Sequence, residues 1–99
     1  MSQFKIIISE NADSEFIESF KFYEQKRKGL GEEFEVEIEK VLNAIERNPL
    51  LFARKYKSYR EAKINKFPFF IVYEIVRQHV VVYSFFHTSR SPKKKYKRK

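Results

Sequence analysis

Four side chains in the second half of this chain have the chemistry needed to cleave a phosphodiester bond, namely Arg60, His87, Arg90 and Tyr96. Cleavage through a 2′-hydroxyl needs a group that accepts its proton, cations that stabilise the charged phosphorane and an acid for the leaving oxygen. An imidazole changes charge near neutral pH, so His87 is a candidate base or acid. Arg60 and Arg90 can each grip a phosphate through two N–H bonds. Tyr96 can stack on a base or donate a proton.

Each of these residues also has a purely structural interpretation. His87 can be a histidine at a strand end, Arg90 a capping residue and Tyr96 an aromatic side chain packed on the body of the protein. Taken singly, the structural interpretation is favoured. Taken together, the residues form a site only if their strands bring them to one end or face of a sheet, and that depends on strand order and register.

Cations are concentrated in the second half of the sequence. Residues 1–53 hold eleven acids and seven bases, a net charge of −4, whereas residues 54–99 hold two acids and fourteen bases, a net charge of +12. Such a field attracts polyanions, including nucleic acid, an acidic membrane surface or an acidic protein. The predicted contacts to nucleic acid or another target are Arg54, Lys55, Lys57, Arg60, Lys63, Lys66, Lys93, Lys94 and Lys95. The alternative is a soluble face with an edge strand guarded by charge.

Several classes of function are disfavoured by composition. The chain has no cysteine and only two histidines, and it lacks phosphate-binding glycine motifs, so we expect neither a metal site nor a cofactor. It has no apolar run long enough to cross a membrane, and its N-terminal apolar run is too short for a signal peptide. We therefore predict a cytoplasmic protein with no membrane partner. Its 99 residues predict one domain over residues 1–99, with a basic tail at residues 91–99.

The first half of the sequence predicts a strand and two helices. Residues 4–9 are apolar and β-branched, which indicates a strand. Asn11 or Asp13 can cap a helix that runs to about residue 28, with Ala12, Phe16, Phe20 and Tyr23 along one face. Two glycines in "KGLG" predict a tight reversal, and a second helix runs from about residue 32 to "NP" at residues 48–49. Helices joined by so short a link should form an antiparallel hairpin.

The second half predicts strands. We expect a basic loop, "LFARKYKSY", over residues 51–59, and strands at residues 59–64, 67–75 and 79–87. In the first of these strands Arg60, Ala62 and Ile64 share one face. The resulting fold class is α+β with the order β-α-α-β-β-β, in which the helical hairpin packs on one face of a small antiparallel sheet.

From about residue 4 to residue 96, the sequence resembles the RelE/ParE superfamily of type II toxin–antitoxin toxins, also called plasmid stabilisation proteins. The resemblance rests on the element order and on "GLG" at the hairpin, "NP" after the second helix, Arg60 followed by "FPF" and "VY", and the closing "HTSRSP". The motifs "GLG", "FPF" and "HTSR" favour ParE-like members. Arg90 and Tyr96 nevertheless keep the separation of the arginine and tyrosine in RelE-like members.

The resemblance implies a toxin with an antitoxin partner in a hetero-oligomer. ParE-like toxins inhibit DNA gyrase and have no established catalytic residues, and this is the favoured function. The alternative is a RelE-like, metal-independent mRNA endonuclease that works on the ribosome, in which His87, Arg90, Tyr96 and Arg60 would be catalytic. A third possibility is a basic interaction module that keeps the fold without toxicity.

Overall fold

The computed structural model describes residues 4–89, which form two helices packed on a five-stranded sheet. The elements in chain order are β1 (Lys5–Ile8), α1 (Glu10–Lys26), α2 (Leu30–Arg47), β2 (Arg54–Tyr56), β3 (Tyr59–Lys63), β4 (Phe69–Val76) and β5 (His79–His87). The strand order in the sheet is β1-β5-β4-β3-β2, and β1 runs parallel to β5 while the other neighbours are antiparallel. The predicted fold class and the helical hairpin on one face are confirmed. No helix of residues 4–89 is long and apolar enough to cross a membrane.

A single residue, Ser9, separates the end of β1 from the start of α1. The Ser9 hydroxyl accepts from the Ala12 backbone N–H at 3.1 Å and so caps the first turn. The prediction that Asn11 or Asp13 caps this helix is wrong, because both residues already lie inside the helix. The Asn11 side chain instead donates to the Tyr83 carbonyl at 3.0 Å, which ties the helix to the sheet.

The reversal between the helices is held by one carboxylate. Glu24 of α1 accepts from the backbone N–H groups of Gly29 (2.9 Å) and Gly31 (3.0 Å), which are free donors at the start of α2. Gly29 has a φ of 90°, a left-handed conformation that glycine adopts without strain. At Gly31 a Cβ would lie 2.9 Å from the Phe20 carbonyl oxygen, so only glycine lets the two helices approach this closely.

The main core lies between the helices and one face of the sheet, and Phe34 of α2 is at its centre. The Phe34 ring is fully buried, with the ring centroids of Phe16, Tyr23, Phe67 and Phe69 between 5.0 and 5.7 Å away. Aromatic pairs at these separations gain energy beyond the area they bury. This group joins both helices to the sheet and to the loop before β4.

A bulge in β5 lies under the first turns of α1. Val72 pairs with Ser84 and Tyr73 pairs with Val82, so Tyr83 is an extra residue in β5. Its carbonyl accepts from the side chains of Ser9 and Asn11, and the Glu15 carboxylate accepts from the Ser84 hydroxyl (2.8 Å) and the Phe85 N–H (3.1 Å). Polar groups released from the strand ladder are thus satisfied by the helix.

The segment predicted as a basic loop contains a short strand. Residues 54–56 form β2 at the edge of the sheet, with Arg54 opposite Arg60. The turn that closes this hairpin places Lys57 at φ 51°, a left-handed conformation that a lysine rarely adopts. The sequence has no glycine or asparagine that would mark this turn. The prediction of a loop was therefore made without a turn signal, and it is wrong for residues 54–56.

The two glycines of the hairpin provide a matched pair for a stability test. We expect Gly31→Ala to lower the free energy of unfolding by about 2–3 kcal/mol, because the new methyl group meets the Phe20 carbonyl and overpacked sites cannot relax freely. Gly29→Ala meets no atom within 4 Å and should cost only about 1 kcal/mol, through its left-handed backbone. Urea unfolding followed by circular dichroism measures both values, and a larger loss for Gly29→Ala would contradict this account.

Candidate functional site

Arg60 lies on the helix-facing side of β3, near the edge strand. It shares this side with the buried residues Ala62 and Ile64, as its alternation along the strand predicts. Its guanidinium donates to the Phe52 carbonyl at 2.7 Å, and Arg60 is directly opposite Tyr73 of β4. One of its donors therefore holds the segment between α2 and β2 against the sheet.

Tyr73, beside Arg60, is the most deeply buried polar ring in the core. Its hydroxyl donates to the Pro49 carbonyl at 2.7 Å, which fixes the chain immediately after α2. Burial raises the pKa of Tyr73 to about 12, and the positive charge of Arg60 and the Phe52 backbone oppose the shift only in part. Arg60 and Tyr73 together hold the segment around residues 49–52 in place.

His87 is the last residue of β5 and lies two strands away from Arg60 in the sheet. It pairs with Phe69, and the two rings meet edge to face with centroids 5.0 Å apart. Its Nδ1 accepts from the Ser89 N–H at 3.0 Å, and the Ser89 hydroxyl is 2.7 Å from the same nitrogen. The ring lines an open pocket of about 380 Å³, whose other lining residues are Glu18, Ser19, Phe22, Tyr23, Phe69 and Ser89.

The structure does not bring Arg60 and His87 together. Arg60 pairs with Tyr73, and His87 pairs with Phe69, four residues earlier on the same strand. With a rise of about 3.4 Å per residue and about 4.8 Å between strands, the two Cα atoms are about 17 Å apart. The Arg60 guanidinium is bonded to the Phe52 carbonyl and the His87 Nδ1 to Ser89, so the two side chains do not form one site in this arrangement.

The other predicted cations of residues 4–89 lie on different surfaces. Lys55 and Lys57 are exposed on the β2–β3 hairpin, while Arg54 lies opposite Arg60. Lys63 alternates with buried Ala62 and so projects from the face of the sheet away from the helices. Lys66 lies beside α2, with its Nζ 3.7 Å from the Glu37 carboxylate. The five remaining predicted site residues, Arg90, Lys93, Lys94, Lys95 and Tyr96, lie outside the described residues.

A pair of tyrosines on the β2–β3 hairpin was not among the predicted site residues. The rings of Tyr56 and Tyr59 are parallel within 4°, with centroids 6.3 Å apart, and the Lys57 ammonium lies 5.3 Å from the Tyr56 centroid. The sequence signal was two tyrosines three residues apart among lysines. This signal does not predict that the two rings stack when Tyr56 is taken to lie in a loop.

Comparison with solved structures finds chains that share this fold. The chain is similar to one in the chromosomal ParDE TA system from P. aeruginosa, with a TM-score of 0.78 and 8% identity over 88% of this chain and 98% of that one. It is also similar to the YoeB dimer from Staphylococcus aureus, with a TM-score of 0.55 and 21% identity over 87% of this chain and 98% of that one. Identities this low establish the fold alone.

The family follows from the sequence itself. Residues 6–92 match the model of the ParE toxin of the type II toxin–antitoxin system, parDE, so the chain belongs to the ParE toxin family. The resemblance to the RelE/ParE superfamily is thereby confirmed. No curated protein sequence matches the chain significantly.

The buried hydroxyl of Tyr73 predicts a pH-dependent stability difference. Tyr73→Phe should lower the free energy of unfolding at neutral pH by about 1–3 kcal/mol, because the Pro49 carbonyl loses its donor. The folded-state pKa of about 12 is above the ordinary value of 10.0, so the stability that this group provides is complete below pH 10 and is lost as the pH rises from 10 to 12.

The measurement is urea unfolding of both proteins across that pH range. The difference in unfolding free energy between the native chain and Tyr73→Phe should narrow as the pH approaches 12, while lysine titration affects both proteins alike. A constant difference from neutral pH to pH 12 would show that Tyr73 is not the group responsible.

Proposed function

We propose that this chain is the toxin of a type II toxin–antitoxin pair, that it arrests growth by inhibiting DNA gyrase, and that a cognate antitoxin neutralises it. Membership of the ParE toxin family supports the assignment to a toxin module. The ParDE system from P. aeruginosa, which shares the fold, supports an antitoxin partner in a hetero-oligomer. The target itself is argued from the site.

The separation of Arg60 from His87 is the observation that favours gyrase inhibition over mRNA cleavage. A nuclease needs its proton acceptor and its phosphate-binding cation within reach of one phosphate. Here the Arg60 guanidinium donates to the Phe52 carbonyl, and the imidazole lies two strands away, bonded to Ser89. This arrangement favours a toxin that works by binding over one that uses these two residues for catalysis.

A basic edge of the sheet is the proposed contact surface for the antitoxin. Lys55, Lys57 and Arg54 form an exposed basic edge next to the exposed apolar side chains of Leu50 and Leu51. An acidic, amphipathic antitoxin segment complements both features. The partner proposed here is therefore a small acidic protein encoded beside this chain.

The test combines induction in cells with two assays of the target. We expect induction of the full chain without its neighbouring gene to stop growth, and co-expression of the adjacent acidic protein to restore it. Purified gyrase should lose supercoiling activity in the presence of the chain, and mapping of mRNA ends on translating ribosomes should show no new cuts. Cleavage with intact supercoiling would reject gyrase inhibition in favour of the RelE-like alternative, and absence of arrest would favour the non-toxic interaction module.

The two histidines of β5 supply a matched control for that test. His79 and His87 lie at opposite ends of the same strand. If the chain inhibits gyrase, His87→Ala and His79→Ala should both retain growth arrest. If it is a nuclease that uses His87 for proton transfer, His87→Ala alone should lose about 10²–10⁴-fold in cleavage rate.

A further inference from the structure

The β2–β3 hairpin presents a supported aromatic ring at the edge of the sheet. Tyr59 is only 6% exposed and packs with Val72 and Phe86 on the face away from the helices, where the Tyr83 ring also meets it edge to face at 5.7 Å. Tyr56 stacks on Tyr59 and is 46% exposed. The outer ring is therefore held by an inner ring that belongs to a small core.

The charge around this ring is positive. Lys55 and Lys57 are exposed on the strand and turn that carry this ring, Arg54 lies opposite Arg60, and the acid of the hairpin itself is Glu61 of β3. The nearest acid on the hairpin's sheet neighbour is Glu74, which already accepts hydrogen bonds from the hydroxyls of Ser58 and Tyr83. The Lys57 ammonium lies 5.3 Å from the Tyr56 centroid, and a flexible lysine can move from there to a phosphate.

We propose that this hairpin binds single-stranded nucleic acid, with an unpaired base stacked on Tyr56 and the flanking phosphates contacted by Lys55 and Lys57. An exposed aromatic ring beside cations is the combination by which proteins bind single strands without reading their sequence. A base within a duplex already has neighbours on both faces, so an exposed ring selects for unpaired bases. The inference concerns direct binding of nucleic acid and does not depend on gyrase being the target.

The chain contains a matched control for this arrangement on its other side. Phe22 of α1 is 54% exposed, and the Lys26 ammonium lies 4.8 Å from its ring centroid. The ring and the cation are thus reproduced, but the α1 segment also carries Glu18 and Glu24. Phe22→Ala removes a comparable ring without altering the basic hairpin.

The experiment measures binding of the full-length chain to fluorescein-labelled oligothymidylate and oligouridylate by fluorescence anisotropy at several salt concentrations. Tyr56→Ala should weaken binding by about 5- to 150-fold, the range measured for loss of one stacked base. Tyr56→Phe keeps the stacking surface and should bind as the native chain does, as should Phe22→Ala. Lys57→Ala should reduce the slope of log affinity against log salt by about 0.7.

The results that would overturn the proposal are distinct from those that test gyrase inhibition. Equal binding by Tyr56→Ala and the native chain, an equal loss in Phe22→Ala, or preference for duplex over single strands would each refute base stacking. Growth arrest that requires Tyr56 without any oligonucleotide binding would assign the hairpin to a protein partner instead. Because Tyr56 is exposed, the far-ultraviolet circular dichroism spectrum of Tyr56→Ala should match that of the native chain. If the spectra differ, binding by Tyr56→Phe and Lys57→Ala tests the proposal instead.

Discussion

The ring of Phe34 is the point at which both helices, the sheet and the loop before β4 meet. Four aromatic rings surround it at contact distance, two on the helix side and two on the sheet side. Such a contact needs the helices close together, and Gly31 and the Glu24 carboxylate secure that approach at the start of α2. A short chain gains much of its stability from burying a few large rings. The close approach of the two helices and the packing of the aromatic core therefore depend on each other.

The same constraint fixes the position of the candidate site residues. With α1 held on Phe34, its first turns lie over the β5 bulge, where Glu15 and Asn11 satisfy the backbone groups released at residues 83–85. The bulge in turn sets the register of β5 against β4, because one residue of β5 is left over. The pairing of His87 with Phe69 thus depends on contacts made by a helix that carries neither residue.

Much of this fold could be predicted because its signals are local. The spacing of Phe16 and Tyr23 gave the buried face of α1, and the alternation of Ala62 and Ile64 gave the buried face of β3. Three features could not be predicted in this way. The cap at Ser9 depends on how abruptly β1 ends, β2 depends on a left-handed Lys57, and the distance between Arg60 and His87 depends on strand order and register. Each is decided by tertiary contacts that no short window of sequence contains.

The two halves of the chain differ in charge and in the secondary structure that they form. The acid-rich first half supplies the helices, and residues 54–89, which form β2 to β5, hold seven bases and two acids, so this described part of the chain has a net charge of +5. An acidic antitoxin segment and a nucleic-acid backbone, the two partners proposed for this chain, would both be attracted to Lys55 and Lys57, and charge alone cannot distinguish them. The Tyr56 ring can, because stacking favours a planar base over an extended acidic peptide. If both proposed partners occupy these cations, binding of one at this edge weakens binding of the other, and neutralisation by an acidic partner then needs no change in the fold of the chain.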